Sequence, residues 1–369
     1  MSGQTGFHFS QNLFIKVALG SISFMLLYVN SLVDQYFISL GGAEEAAGYT
    51  LVAPAFNMMM AVCATAGSIT VLTIRKSYEE KRMDEVNRYS TTALVYASII
   101  GAIFTVVLSA LVFGFYKLTI KSEIMTQSSY YLEPMILFFI VFAFYGVLTA
   151  LLMLDGGSKR CFESIVVILV FNTLFNELLH EYYDLDLWGI GMSTSLAFTI
   201  AVLLQLEWFL SKRGSIRLSP KFVDFKISGF RFSEKLLRKF FARGFVKNAC
   251  ELIMRIGVYS HHALSYSLPY ICSTLGYMFS MGATPELSKE YMKLYKDRDM
   301  DGAKNLFKVS NFTLFIAILI ASMVVYIFAY DIVNIFTTHP SISEKKSIIA
   351  ETLRIFAIST PFVGLKYAS

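Results

Sequence analysis

The sequence predicts an all-α, polytopic membrane helix bundle, and three observations carry that prediction. Of 369 residues, 55% are hydrophobic and only 16% are charged, far from the balance of a water-soluble domain. Apolar runs of about 20 residues, the helix length that crosses a hydrocarbon core of about 30 Å, recur along the chain. The alternation over about ten residues that marks a membrane β-barrel strand is absent. The runs are therefore read as helices, which satisfy their own backbone hydrogen bonds where lipid offers no partner.

Ten spans follow in order. The first, 11–40, holds a single basic residue, Lys16, then Asp34 near its end, and stops at Gly41-Gly42. It has no basic leader or small-residue cleavage site and is too long for a signal peptide, so it is read as a retained span. The second, 46–74, and the fourth, 128–154, contain Pro54 and Pro134, residues that permit bending in membrane helices. The third, 89–115, is a long uncharged run; the fifth, 162–181, is polar only at its two ends and at Asn172, Thr173 and Asn176. The sixth, 188–211, opens on the small residues GIGMSTS. The seventh, 238–260, carries the stripe Arg243, Lys247, Glu251, Arg255 at four-residue spacing, and the eighth, 263–283, follows after little more than Ser260-His261-His262. The ninth, 308–337, and the tenth, 348–366, end the chain. Cys63, Cys161, Cys250 and Cys272 show no paired spacing, so neither a disulfide framework nor a metal site is expected.

The loops orient these spans. Those after the even-numbered spans, counted with Arg238, Lys239 and Lys308 at the edges of the spans that follow, carry 22 Lys and Arg residues, and those after the odd-numbered spans carry four, Lys117, Lys121, Lys345 and Lys346. This asymmetry predicts a cytoplasmic N-terminus, in a multi-pass protein of the cell membrane, and accounts for the net charge of +5 without nucleic acid as a partner. The longest polar loop separates a six-helix lobe, 1–211, from a second lobe of at least four helices, 238–369, with 212–237 as a cytoplasmic connection. Met83-Asp84 after the second span recurs as Met300-Asp301 after the eighth, and YLEPMILFFIVFAF near 131 echoes TLRIFAISTPFVGL near 352. Six spans per unit would put two pseudo-symmetric lobes in the same orientation, an arrangement of transporters with parallel repeats.

Three stretches resemble one family. NSLVDQYFISLGGAEEAAGYTLVAP is similar to the first helix and following turn of the multidrug and toxic compound extrusion (MATE) antiporters, roughly VDxxFVxxLG and then a small-residue segment with a proline. LLMLDGGSKRCF resembles that family's RxDGxPK segment after helix four, with Met153 in place of the arginine. FNTLFNELLHEYYDLDLWGIGMSTS resembles NxxxDPxLIF followed by GAAxAT, with Asn176 in place of the aspartate and Glu177 in place of the proline. The resemblance implies a twelve-helix fold of two lobes and export of organic cations or drugs in exchange for H+ or Na+. It also implies a monomer in the bilayer, no cofactor beyond the coupling ion, and a second lobe short by two helices and part of a third. Its cation site maps onto Asp34, Asn172, Asn176 and Thr194. Glu251 matches a helix-seven glutamate that binds drug or proton, and Asn30 and Glu177 are further candidates beside the site.

The chemistry of these residues fits that role. An ionised group at membrane depth costs at least about 2.5 kcal/mol, so Asp34 is a functional candidate, with capping of the span end as the plain alternative. Asn30 and Asp34 share a helix face, as do Asn172 and Asn176, whose plain alternative is interhelical hydrogen bonding. Burial favours the protonated carboxyl and a nearby cation favours the ionised one, so such a group exchanges H+ or Na+. With Asn176 where a second carboxylate is expected, Na+ ligation is weaker and H+ is favoured. Glu177 either replaces that carboxylate or faces the outer water, and Glu251 either binds or sits in a salt-bridge ladder. GxSxG, P-loop and HExxH motifs are missing, which excludes the usual hydrolases and a self-energised pump; the chain is not expected to be an enzyme or to bind a metal. Two other readings stay open: a flippase for lipid-linked saccharides, although the first span has no basic residue after Lys16, and a transport-inactive truncated paralogue.

Overall fold

A computed structural model describes residues 11–118, 123–224 and 293–368, with isolated positions between 268 and 291. Among the described residues every regular element is helical. The order is α1 (Gln11–Gly41), α2 (Ala43–Glu79), α3 (Met83–Leu118), α4 (Glu123–Leu137), α5 (Phe139–Leu154) and α6 (Ser158–Asn176). A single π-helical turn, Glu177–Tyr182, continues α6 and leads to α7 (Asp186–Leu210) and a 3-10 turn, Pro220–Phe222. Then come α8 (Met300–Ile327), α9 (Ala329–Ile335), the short α10 (Pro340–Ser343) and α11 (Lys346–Ala368). Five of these, counting α6 with its π turn, are long and apolar enough to cross a membrane, or six if the bent pair α4–α5 is one span. The expected seventh and eighth spans lie outside the described residues.

The chain divides into two compact units, one of Met1–Leu40 with Ser265–Ser369 and one of Gly41–Leu264. Within the second, α2 packs on α3, α4 and α5, while α7 packs on α4, α5 and α6. Its core is aromatic and aliphatic: Phe139, Phe142, Leu148, Leu151, Leu152, Ile168 and Phe209 are fully enclosed. Phe198 of α7 meets both Phe142 and Tyr145 of α5 at ring-centre distances of 4.9 Å. Small residues allow backbone contact: a Cβ on Gly67 of α2 would lie 2.3 Å from the Gly146 carbonyl oxygen of α5, and one on Gly146 would lie 2.4 Å from the Cys63 oxygen. Lipid gives helices no hydrophobic reason to associate, so close van der Waals packing of this kind is what holds α2 to α5. In the other unit α11 packs against α8 and α9, with Phe315 and Phe362 in edge contact.

The structure corrects the expected fourth span, a single helix over 128–154. Two helices, α4 and α5, are bent by 57° at Phe138. The break lies beyond Pro134, and α3 explains it. The Thr105 hydroxyl donates to the Ile136 carbonyl (2.9 Å), the acceptor that Ile140 N–H would use in an unbroken helix. The absent Cβ of Gly101 leaves α3 room against Ile140, with the ideal Cβ position 3.1 Å from its Cα. The ninth span, expected over 308–337, begins earlier, at Met300, because the Asp299 carboxylate caps the helix by accepting from Gly302 N–H (2.8 Å). It is interrupted at Phe328.

The paired Met-Asp dipeptides have the same local structure. Met83 and Met300 each start a helix, preceded by a basic residue in the left-handed region, Lys81 (φ 58°) and Arg298 (φ 57°). The turns share their hydrogen bonds: Lys81 N–H to Tyr78 O and Arg82 N–H to Ser77 O in one, Arg298 N–H to Tyr295 O and Asp299 N–H to Leu294 O in the other. Both are helix C-termini closed by a left-handed residue, a position usually given to glycine. The sequence echo is thus an echo in backbone geometry.

Candidate functional site

Polar side chains concentrate where an apolar helix would gain nothing from them. In α1, Asn30 and Asp34 are one helical turn apart and buried, Asp34 at 4% exposure. Gln35, which the sequence reading missed, is equally buried. Asn30 Oδ1 and Gln35 Oε1 accept no hydrogen bond among the described residues. A buried amide oxygen left without a donor costs about 1–3 kcal/mol, and such groups in native structures commonly face a water or an ion. Gln35 was legible as a third polar residue in the same apolar run, but it lies off the Asn30–Asp34 face and carries no motif.

In the unit Gly41–Leu264, α6 supplies Asn172 and Asn176, one turn apart and fully buried. Thr194 of α7 is buried, and its hydroxyl donates to the Ile190 carbonyl (3.2 Å), which leaves the oxygen's lone pairs as acceptors. Ser193 and Ser195 do the same, to Gly189 O (2.7 Å) and Gly191 O (2.8 Å). The start of α7 therefore presents hydroxyl oxygens rather than donors. Its glycines set its place: a Cβ on Gly191 would lie 2.4 Å from the Tyr131 oxygen of α4, and one on Gly189 would lie 3.0 Å from the Leu179 oxygen in the π turn. Glu177, at the start of that turn, is exposed, and Pro54 and Pro134 are buried inside α2 and α4. Glu251 lies outside the described residues.

The second motif, LLMLDGGSKRCF, builds a structural knot at the end of the bundle where α2 turns into α3. Asp155, just after α5, accepts from Tyr78 Oη (3.2 Å), Ser215 N–H (2.9 Å) and Ile216 N–H (3.4 Å), joining α2, α5 and the segment after α7. Gly156 takes φ +82°, and a side chain on Gly157 would collide with Leu152. Arg160 ties α6 to α7 through the Glu207 carboxylate and the Leu204 carbonyl (3.1 Å). Beyond Ile216, which is fully buried, the chain is strapped to α3: Arg217 N–H donates to Asn87 Oδ1 (2.7 Å) and Asp224 N–H to Thr92 Oγ1 (3.1 Å). Residues 212–224, read from sequence as the start of a polar connection, are thus fixed along α3. Asp155→Ala strips the acceptor from four donors, those of Tyr78, Ser215 and Ile216 and the Trp208 indole N–H of α7 (3.5 Å), and is expected to cost about 2 kcal/mol. A lowered thermal midpoint, with faster tryptic cutting at Arg213 and Arg217, would register it; an unchanged digest would refute the strap.

Comparison with known proteins places this geometry. The MatE family model matches residues 21–178. No curated protein sequence matches. Among solved structures, an inward-facing multidrug resistance MATE family transporter of the MOP superfamily superposes with a TM-score of 0.75 at 15% identity, over 96% of this chain and 85% of that one. A MOP superfamily transporter from Pyrococcus furiosus gives 0.74 at 17% identity, over 96% and 81%. A MATE crystallised in complex with MaL6 gives 0.72 at 16% identity, over 96% and 80%.

Proposed function

We propose, from the family match over residues 21–178 and a fold shared with solved MATE transporters, that the chain is a MATE-type membrane transporter and exports organic cations or drugs in exchange for protons. The observation that carries this reading is the burial of Asp34, a carboxylate in an apolar helix with the Asn30 amide one turn away. Buried, it exchanges between a neutral and a charged form whose solvation costs differ greatly, which is what couples an ion to a change of conformation. Asn172, Asn176 and Thr194 keep the role the resemblance gives them, neutral oxygen ligands to a cation. Carbonyl and hydroxyl oxygens alone ligate Na+ less strongly than a second carboxylate would, and so H+ is the proposed coupling ion over Na+. The excess of basic loops after the even-numbered spans supports a cytoplasmic N-terminus in the cell membrane.

The reading is tested by ethidium or norfloxacin efflux from cells expressing the chain. Efflux above the vector control, lost when the proton gradient is collapsed, is the expected result. Efflux at the control level, or unchanged after collapse, would contradict it.

A further inference from the structure

His180 lies in the π turn at the opposite end of the Gly41–Leu264 unit from Asp155, and it is buried. Its Nε2 faces Glu45 Oε2 at 2.9 Å and its Nδ1 faces Glu181 Oε1 at 2.6 Å. Glu45 belongs to the first turn of α2 and is itself buried, whereas the Glu181 side chain is 37% exposed. These two carboxylates are the charged groups acting on the ring among the described residues. Glu44, Glu177, Asp184 and Asp186 are the other acidic residues of the segments around it, and none of these segments supplies a lysine or arginine.

The hydrogen-bond count is decisive. A neutral imidazole has one N–H and can donate to one carboxylate; with both carboxylates ionised, the second nitrogen would turn a lone pair towards an oxygen. Filling both contacts takes one more proton, and imidazole is a stronger base than a carboxylate in water, so the ring carries it. The surroundings are built to hold the ring there. The π turn, a rare feature that recurs at functional sites, closes with Tyr183 N–H donating to Leu178 O (3.0 Å). Gly189 of α7 packs on it, and Gly41 leaves open the space that the Glu45 carboxylate occupies, since a Cβ there would lie 2.2 Å from it.

We propose that Glu45, His180 and Glu181 form a proton-binding site, made of residues other than Asp34, that takes its proton through the exposed Glu181 and pins the start of α2 to the π turn after α6. Loss of the proton leaves Glu45 and Glu181 competing for a single ring N–H, which weakens the pin. The proposal stands whether or not the chain transports, because the ligand is the proton and the readout is structural.

Glu181→Gln tests it cleanly. Glutamine donates to Nδ1 while the neutral ring donates to Glu45, so both contacts survive without the extra proton. For the full chain in lipid nanodiscs, the wild-type melting temperature is expected to fall between pH 6 and pH 9 by at least about 2 °C more than that of Glu181→Gln. Nitrogen NMR of labelled histidine, with His180 assigned by difference from Glu181→Gln, is expected to show two protonated ring nitrogens at pH 6 and one at pH 9, against one throughout in the variant. Equal pH slopes, or a singly protonated His180 ring at pH 6 in the wild type, would overturn the site.

Discussion

Asp34→Asn is expected to lower proton-coupled uptake by at least about a factor of ten, equivalent to about 1.4 kcal/mol of lost coupling. Asparagine has nearly the shape of a protonated aspartic acid and cannot ionise, so the variant is fixed as a mimic of one protonation state. The side chain is buried, and a neutral amide is cheaper to bury than a carboxylate, so folding is not expected to suffer. Two measurements separate coupling from collapse: the melting temperature stays at or above the wild-type value, and substrate binding persists but stops depending on pH. A variant that keeps a pH-dependent uptake rate would remove Asp34 from the mechanism.

Gly146→Ala is expected to cause the largest loss of stability, although it adds one methyl group. The ideal Cβ position lies 2.4 Å from the Cys63 oxygen and 2.8 Å from its carbonyl carbon, and both are backbone atoms of α2. Helix propensity favours alanine by about 1 kcal/mol, but overpacking costs typically 1–3 kcal/mol even where side chains can yield, and here they cannot. Gly67 meets the Gly146 carbonyl from the other side, so the two helices cannot part locally without losing both contacts. Gly146→Leu should prevent folding outright. Thermal unfolding of purified Gly146→Ala in detergent checks this; a midpoint equal to the wild type would show that α2 and α5 do not pack backbone to backbone.

How much was legible in the sequence depended on how local the signal was. The described spans lie close to where hydropathy puts them, because the length of an apolar run is set by the bilayer and needs no tertiary information. The turns at Lys81 and Arg298 were foreshadowed by a shared Met-Asp pair, a signal that is local to each half. The break at Phe138 was not legible, since its cause is a hydroxyl from α3, and Pro134 drew attention to the wrong residue. Residues 212–224 read as a polar connection because their anchors, Asn87 and Thr92, lie 130 and 132 residues away in sequence. The Glu45–His180 pair is separated by 135 residues, and each partner alone looks like a polar residue at a helix end. Asp34, Asn172 and Asn176 stood out because a polar group in an apolar run is conspicuous in the sequence itself, whereas Thr194 came from the family resemblance alone. Their burial is what the structure adds.

The central claim, proton-coupled export through Asp34, is tested most directly by reconstituting the chain in proteoliposomes and imposing one gradient at a time. The account predicts ethidium transport driven by a pH gradient in the absence of Na+, no drive from a Na+ gradient at fixed pH, and loss of the pH-driven component in Asp34→Asn. Transport driven equally well by Na+ at fixed pH, and untouched by Asp34→Asn, would contradict it.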